Sequence, residues 1–191
     1  MTKGYAMNAV SADPVLNFEV YVLMTMRNRM TNKKDQLRAT LSSHGFSVKD
    51  AERVHRQLAE SLGDEASRYS VLKESLGARA DTARSFGFSS ILWPNFDFEA
   101  AANDAGLLES ARYRHVRNRS DLPNSPRELA LWSVDATEFI GHFGPMTGGE
   151  QWPLFHELLP AYEEYEFQWD GRRYGAGFSW GLFMYAAEYW D

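Results

Sequence analysis

The 191-residue chain contains no cysteine. That absence excludes disulfides, thiolate zinc sites, iron–sulfur clusters and cysteine nucleophiles together. A secretory start is missing as well. Met1-Thr2-Lys3-Gly4-Tyr5 carries one lysine and no continuous apolar run. Long apolar segments are also lacking. Residues 15–26 are the most apolar early stretch, but Asn17 and Glu19 interrupt them. They fall well short of the roughly 20 residues that cross a bilayer. The expectation is a cytoplasmic protein with no membrane partner.

Lysine is absent after Lys73, and the charge divides accordingly. Residues 1–95 hold 13 cations against 10 acids, a net +3, whereas residues 96–191 hold 7 against 16, a net −9. Aromatics follow the acids: 16 of the 27 lie in residues 132–190. Such a half repels a phosphate backbone and attracts basic partners. The plainer reading is an aromatic core beneath a solvated acidic exterior. An apolar share of 44% and a charged share of 24% are those of an ordinary globular protein. The length predicts one domain over 1–191, with a mostly helical subregion at 1–86 and a mixed, acidic, aromatic subregion at 87–191.

Asp13-Pro14 is a cap followed by a good first helical residue. Residues 15–30 are apolar on almost every side, which predicts a buried helix, although the alternation Phe18, Val20, Val22, Met24, Met26 also suits a strand. Thr31 and Asn32 open a second helix that Gly45 follows. Ser47 and Asp50 form a capping box ahead of the stripe Ala51, Val54, Leu58, Leu62, which Gly63 ends. Residues 64–76 repeat the pattern, and residues 78–86 read as a turn. Beyond Gly87 the spacing predicts a strand over 88–93 stopped by Pro94, then a short helix over 98–105. Residues 111–118 suit either element. Ser125-Pro126-Arg127-Glu128 reads as the start of a helix that Gly141 closes.

Asp170-Gly171 between alternating segments is a strong hairpin signal. A two-residue turn pairs Trp169 with Arg172, Phe167 with Tyr174, and Tyr165 with Ala176 on an aromatic face. Gln168 with Arg173, Glu166 with Gly175, and Glu164 with Gly177 share a polar face. Gly175, Gly177, Ser179 and Gly181 leave that part of the second strand nearly bare. Bare strand glycines mark a close packing contact or a shallow groove for a partner.

Gly177-Phe178-Ser179-Trp180-Gly181 matches the nucleophile-elbow pattern G-x-S-x-G. Only ten residues follow and none is histidine, so the match reads as coincidence. None of His44, His55, His115, His142 and His156 belongs to H-E-x-x-H. His142, Glu150, His156 and Glu157 could converge as acid–base or metal ligands. Gly141, Gly144, Gly148 and Gly149 suggest a mobile loop without the lysine of a P-loop. Arg112, Arg114, His115, Arg117 and Arg119, with Tyr113, form a basic cluster. Its acidic surroundings favour intramolecular pairing over nucleic acid.

The sequence therefore predicts an α+β fold. An N-terminal helical layer precedes a C-terminal part with a small antiparallel sheet that includes the Asp170-Gly171 hairpin. The expected function is non-catalytic: an acidic protein that docks, and inhibits, a basic partner such as a toxin. The expected contact residues are Glu163, Glu164, Glu166, Trp169, Asp170, Glu150 and Trp152. No catalytic residue, metal site or cofactor is assigned. The alternatives are a small hydrolase-like enzyme built on His142, Glu150, His156 and Glu157, and a nucleic-acid binder built on residues 112–119.

Overall fold

The computed structural model describes residues 13–30, 33–62, 69–78, 83–118, 121–155 and 159–189, with side chains except at 28 and 152–161. Asp13 starts α1 (Pro14–Met26). Its Oδ1 accepts from the Val15 and Leu16 amides at 2.9 and 3.3 Å, and Pro14 occupies the first turn, where no amide is needed. Phe18, Val20, Val22 and Leu23 are fully buried, as the all-round apolar pattern requires. A 3-10 turn (Arg27–Arg29) leads to α2 (Lys34–Ser43), α3 (Val48–Leu62) and α4 (Tyr69–Ser75). Ser47 and Asp50 exchange hydrogen bonds as a capping box: the Asp50 amide donates to Ser47 Oγ at 3.1 Å, and the Ser47 amide donates to Asp50 Oδ2 at 3.3 Å. Thr31, Asn32, Gly63 and residues 64–68 lie outside the described residues.

Two antiparallel sheets follow the helices, so the fold is α+β in the order expected. The first has strand order β1 (Ser85–Ser89), β2 (Phe96–Ala102), β3 (Leu108–His115). A 3-10 turn (Pro126–Glu128) and α5 (Ala136–Phe143) come next. The second sheet has order β4 (Met146–Phe155), β5 (Leu159–Trp169), β6 (Arg172–Ser179), β7 (Leu182–Glu188). Among the described residues no helix is long and apolar enough to cross a membrane.

Four expectations are corrected. The strand expected over 88–93 is instead β1 at Ser85–Ser89, which begins inside the expected turn and stops before Ile91. Residues 98–105 are not a helix, because Phe96, Phe98 and Ala100 alternate inward and place the segment at the centre of the first sheet. The helix expected from Ser125-Pro126 is only a 3-10 turn there. The actual start is Asp135, whose carboxylate accepts from the Glu138 amide at 2.8 Å while Glu138 reaches back to the Asp135 amide. Gly141 lies within that helix and Gly144 ends it. Gly148 and Gly149 are not in a loop but in β4, where the register shifts between Thr147 and Glu150.

One apolar cluster joins α1, α3, β2 and β3 to Trp180, Leu182 and Met184 at the β6–β7 end of the second sheet. Phe18 packs on Phe98 and Trp180, with ring centroids 5.3 and 6.0 Å apart. A second cluster places Phe139 and Phe143 of α5 against Phe167, Phe178 and Phe183 of the second sheet. Each face of that sheet therefore has its own surroundings.

Inside the first cluster lies an ionisable group. Glu19 of α1 is fully buried, and its Oε2 accepts from the amides of Ile91 and Leu92 at 2.9 and 2.8 Å. The carboxylate thus fixes the β1–β2 connection onto the helix. Burial pushes its pKa up, and the hydrogen bonds from the connection partly offset this.

Candidate functional site

The hairpin forms as its turn chemistry dictates. Asp170 and Gly171 have φ of 50° and 73°, the positive pair of a type I′ turn. The register is Trp169 with Arg172, Phe167 with Tyr174, Tyr165 with Ala176, Gln168 with Arg173, Glu166 with Gly175 and Glu164 with Gly177. One face carries Phe167, Tyr174, Ala176 and Phe178 under α5. The other carries Glu164 and Glu166.

On that second face β4 sets Glu150 opposite Glu164 and Thr147 opposite Glu166. β7 adds Tyr185 opposite Gly177, and Tyr189 follows the strand. A Cβ on Gly177 would strike the Tyr185 ring and stand 2.5 Å from the Tyr162 hydroxyl. One on Gly175 would stand 3.0 Å from the Tyr189 hydroxyl. Close ring packing is therefore what the bare strand accommodates. Burial pushes the Tyr185 hydroxyl far above the ordinary phenol range, and its hydrogen bonds with Glu164 and Tyr162 add to the shift. Tyr162 lies at the end of the face covered by the turn after α1. There the Arg29 guanidinium carbon stands 4.4 Å from its ring centroid, and Lys33 Nζ donates to Met184 O at 2.8 Å. Farther along, Glu150 and Arg173 are exposed, Glu166 is partly so, and Arg173 Nη2 donates to Glu166 Oε2 at 3.1 Å.

The structure divides the residues expected to bind a partner. Glu150, Glu164 and Glu166 share the open face. Glu163 is on the other face opposite Phe178; burial raises its pKa, and Tyr165 and Arg112 partly offset the rise. Trp169 also belongs to the α5 side, its ring 5.2 Å from that of Phe143. Asp170 is exposed in the turn. Trp152 pairs through its backbone with Tyr162, and its side chain lies outside the described residues. Sequence reasoning missed Tyr162, Tyr185 and Tyr189. Their only signal was the bare strand that their rings fill.

The other candidates are placed as follows. Trp180 and Gly181, with φ of 52° and 82°, form the β6–β7 turn, and Ser179 is buried beside it, so G-x-S-x-G here is a hairpin. His142 sits on α5 with Nε2 3.2 Å from Pro123 O, across the sheet from Glu150. His156 and Glu157 lie outside the described residues. Among the described residues no group of three His, Asp or Glu could hold a metal ion. His115 is buried, stacked on Phe96, with Nδ1 2.7 Å from Glu138 Oε2 and its amide donating to Asp135 Oδ2 at 2.9 Å. It ties β3 to α5.

In the basic cluster, Arg114 Nε lies 2.8 Å from Glu99 Oε2, and Arg117 pairs with Asp97. Arg112 is exposed, Tyr113 is fully buried on the opposite side of β3, and Arg119 lies outside the described residues. The cluster therefore presents no aromatic ring from Tyr113 beside its arginines. Compared with protein-family models, curated proteins and solved structures, the chain matches none.

Proposed function

We propose that this chain is a non-catalytic binding protein that docks a basic partner protein on the open face of its four-stranded sheet. The observation that carries the reading is the direct opposition of Glu150 and Glu164 across β4 and β5, with Glu166 one face position farther on. Like charges set opposite each other destabilise a free sheet. A cation from a partner relieves that repulsion. Tyr185 and Tyr189 supply rigid rings beside the acids, the combination that anchors interfaces. The net −9 of residues 96–191 steers a basic protein toward them. The concrete form is an immunity-type inhibitor that covers the active site of a toxin, a step that rests on analogy with small acidic inhibitors.

The test uses the full chain and the triple variant Glu150→Gln, Glu164→Gln, Glu166→Gln. Both are immobilised and exposed to host lysate, and captured proteins are identified and then measured by interferometry. The expected result is a basic protein whose association with the variant is about tenfold slower and less salt-dependent, with unchanged circular dichroism. Capture of no protein that distinguishes the two forms would overturn the reading.

A further inference from the structure

Resting on the basic-partner reading, we infer that the seat between Glu150, Glu164, Tyr185 and Tyr189 takes an arginine of the partner in preference to a lysine. The face already holds one such arrangement. Arg173 donates to Glu166 while its guanidinium carbon stands 5.5 Å from the Tyr189 ring centroid. One carboxylate and one ring hold one planar cation. A second guanidinium, that of Arg29, lies over Tyr162 at the covered end.

One position along the sheet, the components recur without the cation. Glu166 faces Gly175 and reaches diagonally to Arg173. Glu164 faces Gly177, and the equivalent diagonal position is Gly175, which offers no side chain. Among the described residues Glu150 and Glu164 form no ion pair, while Arg173 is engaged by Glu166. Tyr185 stands beside Glu164, and the Tyr189 hydroxyl reaches over Gly175. Two opposed carboxylates therefore lie beside two phenol rings, and no cation of the described chain pairs with either acid.

A guanidinium suits this place better than an ammonium. Its planar fork of five donors can serve Glu150 and Glu164 together while one face rests on a ring. It is also more weakly hydrated, so it gives up less on leaving water. An ammonium is a compact, strongly hydrated point charge that answers the carboxylates but not the rings as a plane.

The probes are two blocked peptides, one with a pair of arginines separated by glycine and the other with lysines in the same places. Each is titrated into the isotope-labelled full chain at physiological salt. The arginine peptide is expected to bind about three- to fivefold more tightly and to move the amide signals of Glu150, Glu164 and Tyr185. The preference should vanish in Glu150→Gln, an exposed and tolerant position, and in Tyr185→Leu. Equal affinity for the two peptides, or a preference that survives both substitutions, overturns the arginine seat and leaves the basic-partner reading standing. Failure of the arginine peptide to bind also overturns the seat. The broader reading falls only if lysate capture finds no partner sensitive to the three glutamines.

Discussion

The amide of Tyr113 donates to the carbonyl of Trp180 at 2.8 Å, which bonds the β6–β7 turn to the last strand of the other sheet. The turn enters the core rather than solvent. Trp180 is buried against Phe18 and Phe98, and its indole Nε1 donates to Thr25 Oγ1 at 3.3 Å. Contact this close requires glycine next in the chain. A Cβ on Gly181 would stand 2.9 Å from Tyr113 O and 3.2 Å from Arg112 Cβ, at a φ of 82°.

Gly181→Ala is expected to destabilise the protein by about 2 kcal/mol, from overpacking added to backbone strain. Gly106→Ala is the control, because its φ is 75° but nothing lies within 4 Å of its Cβ. Urea unfolding of both variants isolates the packing part. Equal losses would show that the turn does not press on β3.

At the other hairpin the effect is conformational alone. Gly171 has a φ of 73° and open space around its Cβ. Gly171→Val is expected to cost about 1 kcal/mol or more, since a β-branched residue resists that region. Coincident urea midpoints and slopes for the two forms would rule out a type I′ turn.

These two turns also show what the sequence made legible. Asp170-Gly171 is readable because turn chemistry and strand alternation agree within a dozen residues. Trp180-Gly181 is not, because its conformation is held by burial of the indole beneath α1, a contact more than 150 residues away in sequence. Residues 99–102, Glu-Ala-Ala-Ala, favour a helix locally, yet Phe96 and Phe98 hold them in a central strand. The same limit applied to the candidate site. The carboxylates of β5 could be assigned to faces from the first hairpin. Tyr185 and Tyr189 could not, since the β7 register depends on the second turn and on the shift between Gly177 and Phe178.

Glu19 makes stability depend on pH. Its pKa in the folded protein is raised above the ordinary 4.5 by burial, so the fold favours the neutral acid. The associated stability is fully present below the unfolded value and is lost as pH rises through the raised folded value. A glutamine oxygen can still accept from Ile91 and Leu92 but never ionises. The stability of Glu19→Gln relative to the native chain is therefore expected to rise with pH across that window and level off above it. Denaturant titrations at a series of pH values check this, and a difference that falls with rising pH would contradict a raised pKa.

The basic cluster yields a negative expectation about nucleic acid. Arg114 and Arg117 already answer Glu99 and Asp97, and Tyr113 is buried away from them. Affinity for labelled DNA or RNA at physiological salt is expected to be no tighter than about 10⁻⁴ to 10⁻⁶ M, the range of nonspecific binding. Nanomolar binding abolished by replacing Arg112, Arg114 and Arg117 would reverse that expectation.

Gly177 links stability to the open face. An added methyl there would collide with the Tyr185 ring and press on the Tyr162 hydroxyl, both held in the interior part of the face. At Gly175 the atoms nearest the same methyl belong to the Tyr189 side chain, 39% exposed and able to swing outward. Gly177→Ala is therefore expected to cost about 1–3 kcal/mol, and Gly175→Ala distinctly less. Displacing Tyr185 also removes its hydroxyl from Glu164 without changing the charge of the face. If docking needs the rings as well as the acids, Gly177→Ala should weaken partner capture while leaving its salt dependence intact, the reverse of the glutamine variant. Equal stability of the two glycine variants would mean that the Tyr185 ring is not fixed over β6. Equal capture would mean that acidity alone makes the surface work.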